Sequence, residues 1–592
     1  MQGKWNLDDL YKGFDTKEFK EDFESLRGMV GQMNELSEKL ASFDDVAKLM
    51  RLLEKFASKS GRIGSYARYV YATNTKDANA NKYTFQLRAL TAESARTRVR
   101  LSAFLANDIG SIKTLAPQAG IGEYVWKLEE MGKEFNHMMS EDEETLVSQM
   151  SNTGSGAWNM LQSKLISTLT CEYADPLDGN KVRTIGINEA RNLAYHQNPD
   201  VRKAAYDAEL AAYPKVAEPI AAALNSVKGE VNLLSGKRKY ESPLDKTLSD
   251  SHMTRKTLDA MFAAIDENIH CFRDYLKAKA AYLSKGEKKS LPFYDLFAPV
   301  GAKNDEEFSY EEAKAFVADN FAKFSKEMEK VALMSYENNW IDVYPNEGKL
   351  SGAFCGSINE IKQFRILLNY GNSLSDAITL AHELGHGYHS MQIMQEAALN
   401  TSYPMPLAET ASTFCEAIVT NAALETLKGD EKLQLIENSI SDATQVLVDI
   451  YSRYLFEKGV FETRVDHPLS VDELNNLMLE AQKKTYGDGL DEEYLHKYMW
   501  VVKPHYYYPT RNYYNFPYAF GHLLACGLYE IYRKDPAAFG EKYNNFLRST
   551  GKMSIKDSCM LLGIDVEDVN FWRSSIAVVK QSITDFLNLV KN

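Results

Sequence analysis

Apolar residues recur at three- and four-residue spacing over most of the chain, the period of a helix with one buried face. From Thr16 to about Leu115 the pattern runs through "FESLRGMVGQMNELSEKLASF" and "DDVAKLMRLLEKFAS" without a proline, which predicts long helices packed as a bundle. A second helical stretch is expected from Ile121 to about Leu165, broken by the turn signal "NTGSG". The pattern then changes. In "TLTCEYADPLDGNKVRTI", residues 168–185, β-branched residues flank "PLDGN", which reads as a hairpin. Helical spacing resumes over Asn188–Leu234 and Arg255–Leu283. Residues 291–304 and 338–372 are rich in aromatic, β-branched, glycine and proline residues and read as strands and turns. The expectation is a mainly α, two-lobed protein with an N-terminal helical lobe at 1–187, a second domain at 188–592, and a small β-sheet just upstream of residue 373.

The helix predicted after that sheet carries the chemistry. Ser373 and Asp376 fit a capping box, and "HELGHGYHS" follows at residues 382–390. His382 and His386 lie four apart, so on a helix both imidazoles project from one face. A catalytic zinc takes three protein ligands and keeps one position for water, so a third ligand is needed. "YPMPLAETASTFCEAIVTNAALETL" offers Glu409, 23 positions after His386, on a helix expected to begin near Leu407 after Pro404 and Pro406. Glu416 falls on the same face of that helix, about 20° away, and suits the second N–H of a ligand histidine. His389, three residues after His386, lies off the shared face and reads as a structural neighbour. Glu383 points about 100° round the helix from His382, so it is free to act as the base that takes a proton from a metal-activated water.

Composition narrows the classes. With 68 Lys and Arg against 82 Asp and Glu, the formal charge is −14, which argues against nucleic acid as a partner. Six cysteines, none in a C-x-x-C pair, read as buried free thiols and suit a reducing, cytoplasmic compartment. The opening "MQGKWNLDDLYKGF" has no secretory pattern, and no apolar run is long enough for a membrane span.

These motifs resemble the thimet-oligopeptidase-like zinc metallopeptidases, and within them the oligoendopeptidase F branch. The resemblance rests on "WIDVYPNEGKLSGAFCGSI", "GNSLSDAITLAHELGHGYH", "PLAETASTFCEA" and "KPHYYYPTRNYYNFPYAFGHLLACGLY", with fainter echoes in "WNLDDLY", "TGSGAWNMLQSKL" and "LLGIDVEDVNFW". It implies one Zn2+ per chain on His382, His386 and Glu409, with Glu383 as the base. It also implies a deep substrate channel and internal cleavage of short oligopeptides. By the same resemblance His505 and tyrosines of 506–518 stabilise the oxyanion: Tyr507 or Tyr508 in one role, Tyr514 in the other. Phe516 stands where relatives often carry a tyrosine. "KLSGAFCGS", residues 349–357, is a candidate edge strand for an extended substrate, with an ordinary sheet strand as the equal alternative. Two rival functions remain on the sequence alone: an exopeptidase on the same zinc core, and a catalytically inactive, peptide-binding helical protein.

Overall fold

The computed structural model describes residues 3–301 and 307–591. The chain is mainly helical, with two small sheets among the described residues. It divides into two compact units, each woven from three segments. The first comprises Met1–Met138, Asp305–Ala422 and Ile531–Ile564; the second comprises Met139–Asn304, Ala423–Glu530 and Asp565–Asn592.

The first unit opens with the expected helices, Lys17–Glu38, Phe43–Thr73, Ala78–Glu93 and Ala95–Ala106. Three of them start on side-chain caps: Thr16, Ser42 and Asp77 each accept a backbone N–H from the first turn, which satisfies a donor the helix leaves unpaired. Their apolar faces pack into one core that includes Phe19, Leu49, Ile63 and Leu101 and reaches Ile358 and Leu367 in a sheet.

That sheet has three strands in the order β3-β5-β4: β3 Ile341–Asp342, β4 Phe354–Ile358 and β5 Gln363–Leu367. β5 is central, parallel to β3 and antiparallel to β4. The N-terminal segment is tied to it. Arg365, fully buried on β5, donates to the Asn6 carbonyl at 2.7 Å and to Asp9 at 3.0 Å, and Trp5 packs on Tyr69 at 5.2 Å. The sequence stretch "WNLDDLY" thus fastens the chain start to the sheet.

In the second unit, Thr170–Asp175 (β1) and Lys181–Gly186 (β2) form the expected hairpin. Gly179 and Asn180 at its tip both have φ of +60°, the left-handed conformation glycine and asparagine tolerate best. The helices Ala217–Lys237, Arg255–Leu283, Ile450–Arg464 and Val569–Leu589 make up much of the rest. Buried ion pairs cross it: Lys228 meets Glu457 and Lys279 meets Glu437, each at 2.6 Å. The strand signal over 291–304 was misleading. Leu291 makes only an isolated bridge with Leu490, Phe293–Asp295 is a short 3-10 turn, and residues 302–304 lie outside the described residues. Its aromatic residues serve burial there, not sheet pairing. No helix of the described residues is long and apolar enough to cross a membrane.

Candidate metal centre and the His505 cluster

The helix Leu374–Ile393 begins on the capping box read from the sequence: Ser373 accepts the Asp376 N–H, and the Asp376 carboxylate accepts the Ser373 N–H. Two turns on, His382 and His386 stand one above the other, ring centroids 4.8 Å apart. The third group arrives differently from the expectation. The helix bearing the glutamates starts at Thr410, not near Leu407; Met405–Leu407 is a 3-10 turn, because two prolines deny that stretch its backbone donors. Glu409 therefore sits one residue before the helix, where its carbonyl accepts the Thr413 N–H at 3.0 Å. Ser412 Oγ donates to Glu409 as well, lying 2.9 Å from its carbonyl and 3.0 Å from its Oε2.

Two glycines let these elements meet. A Cβ on Gly385 would lie 2.6 Å from the Ala411 carbonyl oxygen and 2.7 Å from Ser412 Cα, so the start of the glutamate helix rests on bare backbone. A Cβ on Gly387 would lie 2.7 Å from the Phe364 ring of β5. Behind the second helix, Phe414 packs on Tyr543 at 5.0 Å and on Phe539 at 5.7 Å.

One ligand atom each from His382, His386 and Glu409 falls within 4.8 Å of the others, the one such His/Cys/Asp/Glu group among the described residues. Glu409 Oε2 is 3.4 Å from both His382 Nε2 and His386 Nε2. His382 Nδ1 faces Glu416 Oε1 at 2.8 Å, which turns its Nε2 towards the cluster. Glu383 is buried, and its Oε2 has no hydrogen-bond partner.

The electrostatics favour a cation. Burial opposes a charged His382, yet its bonds to Glu409 and Glu416 outweigh that and hold its pKa up at about 10. Burial likewise works against an ionised Glu409, but the two imidazoles keep its carboxyl far below the usual range. Burial raises the Glu383 carboxyl, against the pull of His386 and His382. Two imidazoles and one carboxylate are a donor set that zinc accepts, and a field strong enough to hold a proton on His382 also holds a divalent cation. The residues fit a metal.

His389 belongs to the support. It is fully buried, 2.9 Å from Thr550 Oγ1 and stacked on Tyr403 at 4.2 Å, and burial pushes its pKa down to about 3. β4, which contains "FCGS" of the candidate substrate strand, is an edge strand of its sheet.

The second unit gathers the other residues singled out in the sequence. His505 lies 4.9 Å from the Tyr514 ring, 5.8 Å from Tyr508 and 6.3 Å from Tyr518, measured between centroids. All four are partly exposed, whereas Tyr506, Tyr507 and Tyr513 are buried. Tyr507 donates its hydroxyl to the Trp500 carbonyl at 2.9 Å. Tyr518, one of the tyrosines of 506–518 that the sequence grouped without assigning it a role of its own, is brought beside His505 by the fold. Burial, with the charges of Arg453 and Lys503, lowers the His505 pKa to about 4, so its ring is neutral near pH 7.

Known proteins resemble this chain over most of its length. The family model described as peptidase family M3 matches residues 192–578, and a second, described as oligopeptidase F, matches residues 108–170. Oligopeptidase PepF of Bacillus subtilis is 25% identical over 95% of this chain and 83% of its own length. An oligoendopeptidase F homolog of Lactococcus lactis is 25% identical over 99% of this chain and 97% of its own. Among solved structures, oligoendopeptidase-F from Enterococcus faecium superposes with a TM-score of 0.71 at 18% identity, covering 97% of this chain and 99% of that one.

Proposed function

The chain belongs to peptidase family M3 and is a metalloendopeptidase, and we propose that it cleaves internal bonds of short oligopeptides with one zinc ion held by His382, His386 and Glu409. The observation that carries this reading is the convergence of those three ligand atoms within 4.8 Å beside the buried, unpartnered carboxylate of Glu383. A divalent cation there supplies Lewis-acid polarisation of a water molecule and of the scissile carbonyl.

The remaining work falls to the protein's own side chains. Glu383 Oε2 accepts the proton of the attacking water and passes it to the leaving amine; its raised pKa brings it closer to the range in which both transfers are easy. Glu416 fixes the His382 tautomer through Nδ1. The peptide main chain lies along the β4 edge, bonding backbone to backbone. For His505, Tyr508 and Tyr514 we retain the role implied by the sequence resemblance, donation to the developing oxyanion. Their partial exposure and the neutral His505 ring support it.

The test is metal analysis combined with cleavage of a quenched fluorescent peptide of roughly ten residues, blocked at both ends so that only internal bonds are reported. One zinc per chain and chelator-sensitive cleavage are expected. Glu383→Gln should keep the metal and lose about 10²- to 10⁴-fold in turnover, the range of a general base. Full turnover in that variant would sink the mechanism.

A further inference from the structure

The second unit holds a cavity of about 220 Å³ that the peptidase reading uses only through the charges that Arg453 and Lys503 exert on His505. Arg191, Arg453 and Lys503 line it, against the carboxylates of Glu209 and Asp449. Elsewhere in this unit buried cations are closed off: Lys228 and Lys279 each meet a glutamate at 2.6 Å, and Arg202, also at this cavity, meets Asp295 at 2.8 Å. The accounts around the cavity do not close in that way. Arg453 is paired with Asp449, yet its Nε has no hydrogen-bond partner. Arg191 Nη1 stands 3.7 Å from Glu209 and is likewise unbonded. His496 is 1% exposed, and neither ring nitrogen makes a hydrogen bond, Nε2 lying 3.3 Å from Glu209. Among the described residues the Lys503 ammonium has neither an ion pair nor a hydrogen bond.

Three cations against two carboxylates leave one positive charge over, and the Lys503 side chain, which lines the cavity, has no counter-ion to close it. Buried donors and charges of that kind are costly unless something pairs with them. Burial and the charge of Arg453 push the Lys503 pKa down to about 7, the response of an ammonium that lacks its counter-ion. The same walls carry Tyr206, Phe293 and Phe297. An apolar cavity of about 150 Å³ holds benzene, so this one has room for a ring and a small charged group.

We propose that this cavity is a binding site for a small carboxylate with an apolar body, its oxygens taken by the Lys503 ammonium and the Arg191 guanidinium and its body by Tyr206 and Phe293. The uncompensated charge selects an anion, two lining cations suit a group with two acceptor oxygens, and the aromatic walls select against a bare inorganic ion.

Calorimetry on the metal-loaded enzyme tests this with benzoate and, as its uncharged counterpart, benzamide. Benzoate should bind at least about tenfold more tightly, the worth of charge-assisted bonds in a buried site. Lys503→Met should erase that preference, and His386→Ala should leave it intact. Equal binding of the two compounds, or a preference that survives Lys503→Met, overturns the proposal. So does a preference lost in His386→Ala, which would assign the carboxylate to the metal. Two further readings stand apart from ligand affinity. Lys503→Met should melt at a higher temperature than wild type without benzoate, because it removes a largely desolvated ammonium that has no partner, and a lower melting temperature counts against the site. A benzoate-soaked crystal should place the ring against Tyr206 and Phe293, and a ring elsewhere overturns the assignment.

Discussion

His382 and His505 are the same side chain put to opposite uses by their surroundings. In the first unit, Glu409 and Glu416 bond to His382 and lift its pKa to about 10. In the second, burial together with Arg453 and Lys503 lowers that of His505 to about 4. One histidine stands in a field that recruits a cation; the other is kept neutral, free to donate one N–H without first losing a charge. An imidazole has no fixed role, and its neighbours' charges decide between ligand and donor.

The largest effect that would break this contrast lies in the phenol cluster. If Tyr508 and Tyr514 donate to the oxyanion, Tyr508→Phe and Tyr514→Phe should each lower kcat by about 10²- to 10³-fold with metal content unchanged. Tyr507→Phe removes only a hydroxyl bonded to the Trp500 carbonyl, so its cost should appear as about 1 kcal/mol of stability and not in kcat. Steady-state kinetics with metal analysis separates the three variants. Equal kcat losses in Tyr507→Phe and Tyr508→Phe would remove the distinction drawn from burial.

The next effect sharpens the other side. Glu416→Gln keeps the shape of the side chain but discards the charge opposite His382 Nδ1. Metal affinity should fall about 10- to 100-fold, read by competition with a chelator of known affinity. Gly385→Ala tests the same ligand set through packing. With a Cβ 2.6 Å from a carbonyl oxygen, Glu409 must shift, and affinity should fall though no donor atom has changed.

The two regions also differed in how far they could be read from the chain. His382, Glu383, His386 and Glu409 were legible because a helix converts spacing into direction, and Ser373 with Asp376 announced where that helix starts. The start of the glutamate helix was misplaced by a few residues, since Pro406 can sit in a 3-10 turn as readily as in the first turn of an α-helix. The phenols were legible only as a group. Six tyrosines within 506–518 share a loop and a helix start, and which of them face outward depends on tertiary contacts such as Tyr507 with Trp500. Residues 291–304 misled for a related reason: aromatic and β-branched residues mark burial as readily as strands. The make-up of the two units was not legible from chain order, because each is assembled from three separated segments.

Metal binding links the contrast to pH. In the metal-free protein His382 carries a proton up to about pH 10, and that proton must leave before Nε2 can bind a metal. Apparent zinc affinity should therefore rise by about tenfold per pH unit between pH 7 and 9, with one proton released into the buffer. A flat profile would mean that the carboxylates around His382 do not hold the charge assigned to them.

The smallest effect is on stability, and here the two histidines should pull in opposite directions. The folded pKa of His505 is depressed to about 4, below the ordinary value near 6.5, so between those limits the unfolded chain binds more protons. Its neutral form stabilises the fold above pH 6.5, and that contribution is lost as pH falls towards 4. His389, lowered to about 3, adds to the same acid loss. His382 without metal has the reverse sign: its contribution is complete below pH 6.5 and disappears as pH rises through about 10. Melting temperatures measured across pH should thus fall at the acid end in both forms of the enzyme. The alkaline fall should be steeper in the metal-free form, since a metal-bound His382 has no proton to lose. His505→Gln should flatten the acid limb and leave the alkaline one unchanged; a variant that moved both limbs would show that His382 and His505 do not titrate independently.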